Sequence, residues 1–407
     1  MSQKHSIKPV LLQINAYQGS GSIGRIAEQI GERAREAGWE CYIASGRRYS
    51  RPCKLKEIRF STLFQEGMHI LLSMLFDAHG LGSRRATRRL IRAIEKLHPD
   101  VIHLHNVHGY YLNVPLLFEY LKKKDMPIVW TLHDCWPMTG HCAHFEAAAC
   151  ERWKTECHHC PLRKAYPKSL CRDGSRRNFR LKKQLFTALP MLRIVTVSQW
   201  LGALVGQSVL QQYPLQVIHN GIDLQQFRPT ASDLRQRLGL ENAFVLLGVA
   251  SVWYKEKGLE DFICLAGNPA YKVVLVGVTE KQRAALPPSV LTVLRTQHQQ
   301  ELAAYYTMAD VVVNPTYNDS FPTVNLEALA CGTPVVTYRT GGSPEAVDAE
   351  TGVVVAKGDY DALVAAIEGF RNRPKPSEAC RRRAETCFDM NRCAERYLEI
   401  FNACRQA

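Results

Sequence analysis

The sequence predicts an α/β protein built from two doubly wound, Rossmann-like domains, and three observations carry that prediction. Short runs of aliphatic and β-branched residues recur along the chain, each followed by a turn and then by residues of helical composition. Those runs are apolar throughout, the density expected of strands in a parallel sheet covered on both faces. At 407 residues the chain is long enough for two domains of about 150 to 200 residues, each with its own core.

Composition narrows the class. Hydrophobic residues make up 46% of the chain and charged residues 22%, which excludes a disordered polypeptide. No run approaches the roughly 20 apolar residues of a membrane-spanning helix. The N-terminus, Met1-Ser2-Gln3-Lys4-His5, has no signal-peptide apolar stretch, so a cytoplasmic protein is expected. Charge is uneven: residues 1–200 hold 32 Lys and Arg against 16 Asp and Glu, whereas residues 201–407 hold 20 against 22. A basic N-terminal half suits an anionic partner, either nucleic acid or an acidic membrane surface. Within it the apolar residues 68–76 precede Arg84, Arg85, Arg88, Arg89 and Arg92 at helical spacing. That pattern reads either as an interfacial surface, peripheral on a membrane, or as a core helix beside a solvated basic one.

In chain order, residues 9–14 form the first buried strand and run into Gly19-Ser20-Gly21-Ser22-Ile23-Gly24 before a helix from about residue 25 to 37. Glycine lets backbone approach a phosphate closely and a helix N-terminus favours an anion, so the turn has a phosphate-approach geometry. No Gly-Lys-Ser/Thr follows it and no acidic residue ends the second strand, so neither nucleotide-loop fingerprint is met. Further strands are expected at 39–44, 100–105 and 128–134. The last ends in His133 and Asp134, at a carboxyl end where catalytic groups gather. A strand at 193–198 precedes the link 217–223, whose Asn220-Gly221 supplies turn chemistry. The strand at 244–250 leads to Lys255-Glu256-Lys257-Gly258, and Lys257 reads either as a phosphate-binding lysine or as an exposed one at a helix start. A strand at 272–277, a helix at 302–308 and a helical tail at 391–407 complete the pattern.

Four of the 14 cysteines, Cys142, Cys150, Cys157 and Cys160, fall within 19 residues at C-x7-C-x6-C-x2-C spacing. In a reducing cytoplasm this suggests a structural tetrahedral zinc site, with buried free thiols as the alternative. His141, His144, His158 and His159 compete as ligands.

Residues 314–345, NPTYNDSFPTVNLEALACGTPVVTYRTGGSPE, form the stretch around which the chain is organised. A strand ends near Pro315, a polar loop follows, helical composition begins at Thr323, and Gly332 and Pro334 stop it before a second strand and Gly341-Gly342. Asp319 in the loop and Glu327 about one turn into the helix are eight apart, with loop N–H groups and a helix N-terminus between them. Two carboxylates flanking positive potential suit a ligand with hydroxyls at both ends and a diphosphate in the middle, the shape of a nucleotide sugar. For Glu327 alone, a solvated residue on an amphipathic helix is the competing reading.

Acid-Ser-Phe, Glu-Ala, Gly-x-Pro-Val, Gly-Gly and Glu in this stretch resemble the retaining glycosyltransferases of family four, the E-x7-E type with the GT-B fold. Asp319 departs from the usual Glu, and Val252 stands where an Arg five residues before Lys257 is usual. The resemblance implies two Rossmann-like domains facing across a cleft: residues 1–215, with a Cys-rich insertion at about 135–175, and a nucleotide-sugar-binding domain, 216–390. A crossover helix, 391–407, would return to the first. It also implies that Asp319, Ser320, Phe321, Pro322 and Thr323 face the donor sugar and that Glu327 holds the ribose hydroxyls. Lys257 would meet the diphosphate, Gly21 would approach the donor, and His133 would contact the sugar near the reaction centre. A similar Gly-x-Cys and Cys-x-x-Cys-Pro insertion occurs in polysaccharide-building members resembling colanic acid transferases, which supports a structural role for the four cysteines.

The family transfers a sugar from a UDP- or GDP-linked donor with retention and needs no divalent metal, so no cofactor is expected for catalysis. The implied acceptor is a glycan or a polyprenyl-diphosphate-linked sugar in bacterial cell-surface polysaccharide synthesis. A nucleotide-sugar hydrolase or epimerase on the same fold is one alternative. A basic, zinc-containing nucleic-acid-binding protein is the other, and it leaves the acidic loop and the Gly-Gly turn without a role.

Overall fold

The computed structural model describes residues 8–46 and 53–406; the N-terminal residues 1–5, read above for a leader, lie outside that range. The chain separates into two compact units, Met1–His219 with Asn391–Ala407, and Asn220–Met390.

The first unit is a seven-stranded sheet of β1 (Val10–Asn15), β2 (Glu40–Ser45), β3 (Lys56–Arg59), β4 (Val101–Leu104), β5 (Ile128–Leu132), β6 (Leu192–Thr196) and β7 (Leu215–Val217), in the order β3-β2-β1-β4-β5-β6-β7. All pairs are parallel. Its helices are α1 (Gly21–Glu36), α2 (Leu63–Phe76), α3 (Arg84–Leu97), α4 (Val114–Lys122), α5 (Ser175–Phe186) and α6 (Gln199–Val205). Every residue of β4 and β5 is buried, as the unbroken apolar runs require of strands covered on both faces. Ile26, Ala27, Ile30 and Ala34 form the inner stripe of α1, at the three-and-four spacing of one helix face. The C-terminal helix, Met390–Gln406, adds Ala394, Tyr397, Ile400 and Phe401 to the same core. The tail therefore completes the first unit, as expected. Phe401 meets Trp39 edge-on at 6.0 Å, and Thr131 Oγ1 donates to the Tyr397 hydroxyl at 3.2 Å.

The second unit is a six-stranded, all-parallel sheet of β8 (Phe244–Val249), β9 (Tyr271–Val276), β10 (Val290–Val293), β11 (Val311–Asn314), β12 (Val335–Tyr338) and β13 (Gly352–Val355), ordered β10-β9-β8-β11-β12-β13. Its helices are α7 (Leu234–Arg237), α8 (Leu259–Leu265), α9 (Glu280–Ala285), α10 (Gln299–Met308), α11 (Thr323–Ala330), α12 (Tyr360–Arg371) and α13 (Ser377–Cys387). Phe262, Leu265, Val273, Leu275, Val311, Val313, Leu363, Ile367 and Phe370 fill its core. The two sheets establish the doubly wound α/β class. In each the strand order reverses once, between β1 and β4 and between β8 and β11, and ligands of such sheets bind at that reversal. No helix among the described residues is long and apolar enough to cross a membrane.

Candidate functional site

The second unit's candidate site is built at the reversal between β8 and β11. After β8 the chain makes a single 3-10 turn, Lys255–Lys257, closed by Gly258 at φ 73°. A Cβ on Gly258 would stand 2.4 Å from the Pro315 carbonyl oxygen, so only glycine lets this turn lie against the loop after β11. Two further ties clasp turn to loop: the Tyr317 N–H donates to the Glu256 carbonyl at 2.8 Å, and Thr316 Oγ1 donates to the same oxygen at 3.2 Å. The result is an ion pair between residues 62 positions apart, Lys257 Nζ to Asp319 Oδ2 at 2.8 Å. Asp319 Oδ1 accepts from the Phe321 N–H at 3.2 Å, which fixes the carboxylate. An ammonium has three donors, so Lys257 keeps capacity for an anionic ligand. The Gly-Gly turn after β12 backs the same loop. Gly341 has φ 51°, and a Cβ there would lie 1.7 Å from the Asp319 carbonyl oxygen; the Gly342 N–H donates to the Ser320 carbonyl at 3.1 Å.

Glu327 is 4% exposed, which removes the solvated-helix reading. The buried Tyr306 hydroxyl donates to Glu327 Oε2 at 2.7 Å. No side chain caps α11 and no acidic residue lies in its first turn, so its N-terminus presents uncompensated positive potential. Around it Asn318 Oδ1, Ser320 Oγ, Asn325 Nδ2, Thr340 Oγ1 and Ser343 Oγ are buried with no hydrogen-bond partner. Native proteins seldom leave buried polar atoms unsatisfied. Five such atoms lie on the loops and helix that follow β11 and β12.

In the first unit Gly19, in the turn after β1, and Gly21, the first residue of α1, take positive φ, 56° and 67°, and a Cβ added at Gly21 would meet no atom within 4 Å. The turn is open, as backbone approach to a ligand demands. Behind it the side-chain amide of Gln18 is buried without a partner at either end. At the end of β5, His133 Nε2 lies 3.1 Å from His105 Nδ1, with the rings stacked, and His105 Nε2 lies 3.1 Å from Gln13 Oε1. Burial pushes the His133 imidazole down to about 4, although Asp134 pulls the other way, so it is neutral at pH 7. Burial also tends to raise the Asp134 carboxyl, but the neighbouring His108 ring, 2.7 Å away through Nε2, helps hold it down at about 2.

Gly21, His133, Lys257 and Asp319 to Thr323 sit on loops, turns or helix starts that follow strands, and Glu327 lies one turn into α11. Lys257, Asp319, Ser320, Phe321, Pro322, Thr323 and Glu327 are brought together within the second unit, while Gly21 and His133 belong to the first. Sequence reasoning did not single out Tyr306, His105, His108, Thr340 or Ser343. The alternation His103-Leu104-His105 in a buried strand was the available signal for a histidine lining; the others carried none. Cys142, Cys150, Cys157 and Cys160 are free thiols around one small cavity in the first unit. Among the described residues no three His, Cys, Asp or Glu side chains stand as a preformed metal-binding group.

A family model described as Glycosyltransferase Family 4 matches residues 23–226, and one described as Glycosyl transferases group 1 matches residues 231–386. The chain is 24% identical to an Escherichia coli K12 protein assigned to colanic acid biosynthesis as the glycosyl transferase WcaC, over 87% of this chain and 89% of that one. Among solved structures, sucrose-phosphate synthase from Thermosynechococcus elongatus superposes with TM-score 0.74 at 19% identity, covering 97% of this chain and 99% of that one. HepE of Anabaena, solved in complex with UDP and glucose, superposes with TM-score 0.65 at 17% identity, over 96% and 99%.

Proposed function

The chain belongs to glycosyltransferase family 4, and on that footing we propose that it moves a sugar from a nucleotide-diphosphate sugar to a lipid-linked or polysaccharide acceptor with retention of configuration. The observation that carries this reading is the Lys257–Asp319 pair at the sheet's reversal beside the uncapped N-terminus of α11, with Glu327 buried on the same helix. On it, Glu327 accepts from the ribose hydroxyls, and Lys257 with the α11 N-terminus takes the diphosphate. Asp319, Ser320, Phe321, Pro322 and Thr323 face the sugar. His133 touches the sugar near the reacting carbon, and the Gly21 turn approaches the donor.

The sugar's bond to the diphosphate oxygen breaks through an oxocarbenium-like state, and the acceptor hydroxyl bonds to the same carbon on the face the diphosphate leaves. Its proton passes to the departing phosphate oxygen. Preorganised positive potential at the leaving group lowers the barrier, so no carboxylate is assigned as nucleophile. A neutral His133 suits a hydrogen-bonding role toward sugar hydroxyls.

A lipid-linked acceptor is supported by the surface of the first unit. On α2, Leu63, Phe64, Met68, Leu71, Leu72 and Phe76 are exposed, Phe64 by 79%. Arg84, Arg85, Arg88, Arg89 and Arg92 of α3 are exposed beside them, and Arg89 donates to Gln65 of α2 at 2.7 Å. An apolar face flanked by arginines matches an anionic membrane surface.

The test is a panel of UDP- and GDP-sugars screened by thermal shift, then product configuration by NMR on an oligosaccharide-lipid acceptor. One donor should stabilise the chain and yield a product of the donor's anomeric configuration. Lys257→Ala should weaken donor binding, and turnover should fall even at saturating donor. No stabilisation by any nucleotide sugar, or an inverted product, overturns the proposal, and donor turnover without acceptor favours hydrolysis.

A further inference from the structure

We infer that the cavity bounded by Cys142, Cys150, Cys157 and Cys160 is a tetrahedral site for zinc, and that the ion is what holds the surrounding segment in shape. Residues 139–174 contain only two single 3-10 turns, Glu146–Ala148 and Arg152–Lys154, and an interior centred on Phe145 stacked on Trp153 at 5.0 Å. A stretch of that length with so little regular structure inside a compact unit is uncommon and is usually functional.

Cys142, Cys150, Cys157 and Cys160, with His141, His158 and Ser175, line one cavity, and no three of their side chains yet stand as a closed metal-binding group, so the four thiols would draw together on the ion. The Cys142 and Cys160 thiols hydrogen-bond each other, and Cys157 interacts with Cys150 and Cys160. The Gly140 N–H donates to Cys157 Sγ at 3.2 Å. A Cβ on Gly140 would lie 2.1 Å from the Ser175 carbonyl oxygen and 2.8 Å from Cys157 Cβ, so glycine alone permits this amide-to-sulfur approach.

Two buried groups outside the four thiols point to the same occupant. The His141 side chain is fully buried; its Nδ1 pairs with Asp77 Oδ1 at 2.6 Å, while Nε2 is buried without a partner. Lys182 is buried with Nζ donating to the carbonyls of Trp136 at 2.7 Å and Thr139 at 3.0 Å, and it sits over the Trp136 ring. Neutral carbonyls are its hydrogen-bond partners, and the Asp77 and Asp134 carboxylates, which also attract it, make no ion pair with it. A zinc tetrathiolate carries a charge of −2, which would add an anion on the cavity side of Lys182 and of the His141 ring. Four thiols lose their protons to solvent as four Zn–S bonds form, with no change in oxidation state. An all-sulfur set selects zinc over magnesium or calcium.

The inference is independent of the donor assignment. Its test uses the full-length chain purified without chelator and analysed for metal by mass spectrometry. Zinc near one per chain is expected, falling about tenfold or more in Cys142→Ser, Cys150→Ser, Cys157→Ser and Cys160→Ser. Cys264→Ser and Cys387→Ser, exposed thiols of the second unit, should leave it unchanged. Because a ligand variant can fail to fold, the unmodified chain is also titrated with a mercurial. Zinc should leave as those thiols react, and cobalt exchanged into the site should show tetrahedral thiolate bands. A metal-free chain whose unfolding ignores zinc and chelator, a disulfide among the four cysteines, or an octahedral cobalt spectrum overturns the inference. His141→Gln should retain the ion; loss there with retention in Cys150→Ser would replace Cys150 by His141 as the fourth ligand.

Discussion

Replacing Glu327 separates two contributions of one buried carboxylate. Glu327 is 4% exposed and accepts the Tyr306 hydroxyl at 2.7 Å through Oε2, and the carboxylate is assigned to the donor ribose. In Glu327→Gln the amide oxygen still accepts from Tyr306, so the fold is retained while the ribose loses an ionised acceptor. Hydrogen bonds to charged groups contribute about 1.5–3 kcal/mol and neutral ones about 0.5–1.5. The difference of about 1–2 kcal/mol weakens nucleotide binding about 5- to 30-fold. Glu327→Ala removes the interaction altogether and weakens binding about 10- to 150-fold. It also takes the acceptor from the buried Tyr306 hydroxyl, at a cost of about 1–3 kcal/mol in stability. Tyr306→Phe in the Glu327→Ala background should restore part of that stability and none of the affinity. Isothermal titration with the nucleoside diphosphate and its sugar, beside urea unfolding of each variant, measures both quantities. Unchanged dissociation constants in Glu327→Gln and Glu327→Ala, with both folded, would refute the ribose assignment.

Two other outcomes follow from the geometry. Gly341→Ala places a Cβ 1.7 Å from the Asp319 carbonyl oxygen at a φ of 51°, so the acidic loop must move. Stability should fall by about 1–3 kcal/mol and donor affinity with it, by the same two assays; a variant with unaltered affinity would show that the Gly-Gly turn does not support the loop. The buried histidines make stability depend on pH. Burial lowers His69 and His133 to about 4 and His103 to about 3, so from pH 6.5 down to these values the unfolded chain binds more protons than the folded one. Stability is therefore fully present above pH 6.5 and is lost as pH falls, by up to about 1.4 kcal/mol per pH unit for each histidine. Urea midpoints at pH 7.5 and 5.0 should differ accordingly, and equal midpoints would contradict it.

What the sequence by itself determined is the part encoded by neighbours along the chain. Apolar runs such as residues 128–132 mark central strands because strands covered on both faces carry no polar face, and the spacing of Ile26, Ile30 and Ala34 marks the inner stripe of α1. The motif from Asp319 to Glu327 and the Gly-Gly turn were legible for the same reason, since each lies within one loop and the helix or strand beside it. The edge strand β3, Lys56-Glu57-Ile58-Arg59, was not, because an exposed edge needs no apolar run. Tertiary structure alone decided that Lys257 meets Asp319, that Tyr306 on α10 holds Glu327 on α11, that His108 sits against Asp134, and that four thiols share one cavity. Such pairs depend on which strand lies beside which and on how far each connecting loop reaches. Sheet order is set by packing of the whole unit, and no local pattern of residues carries it.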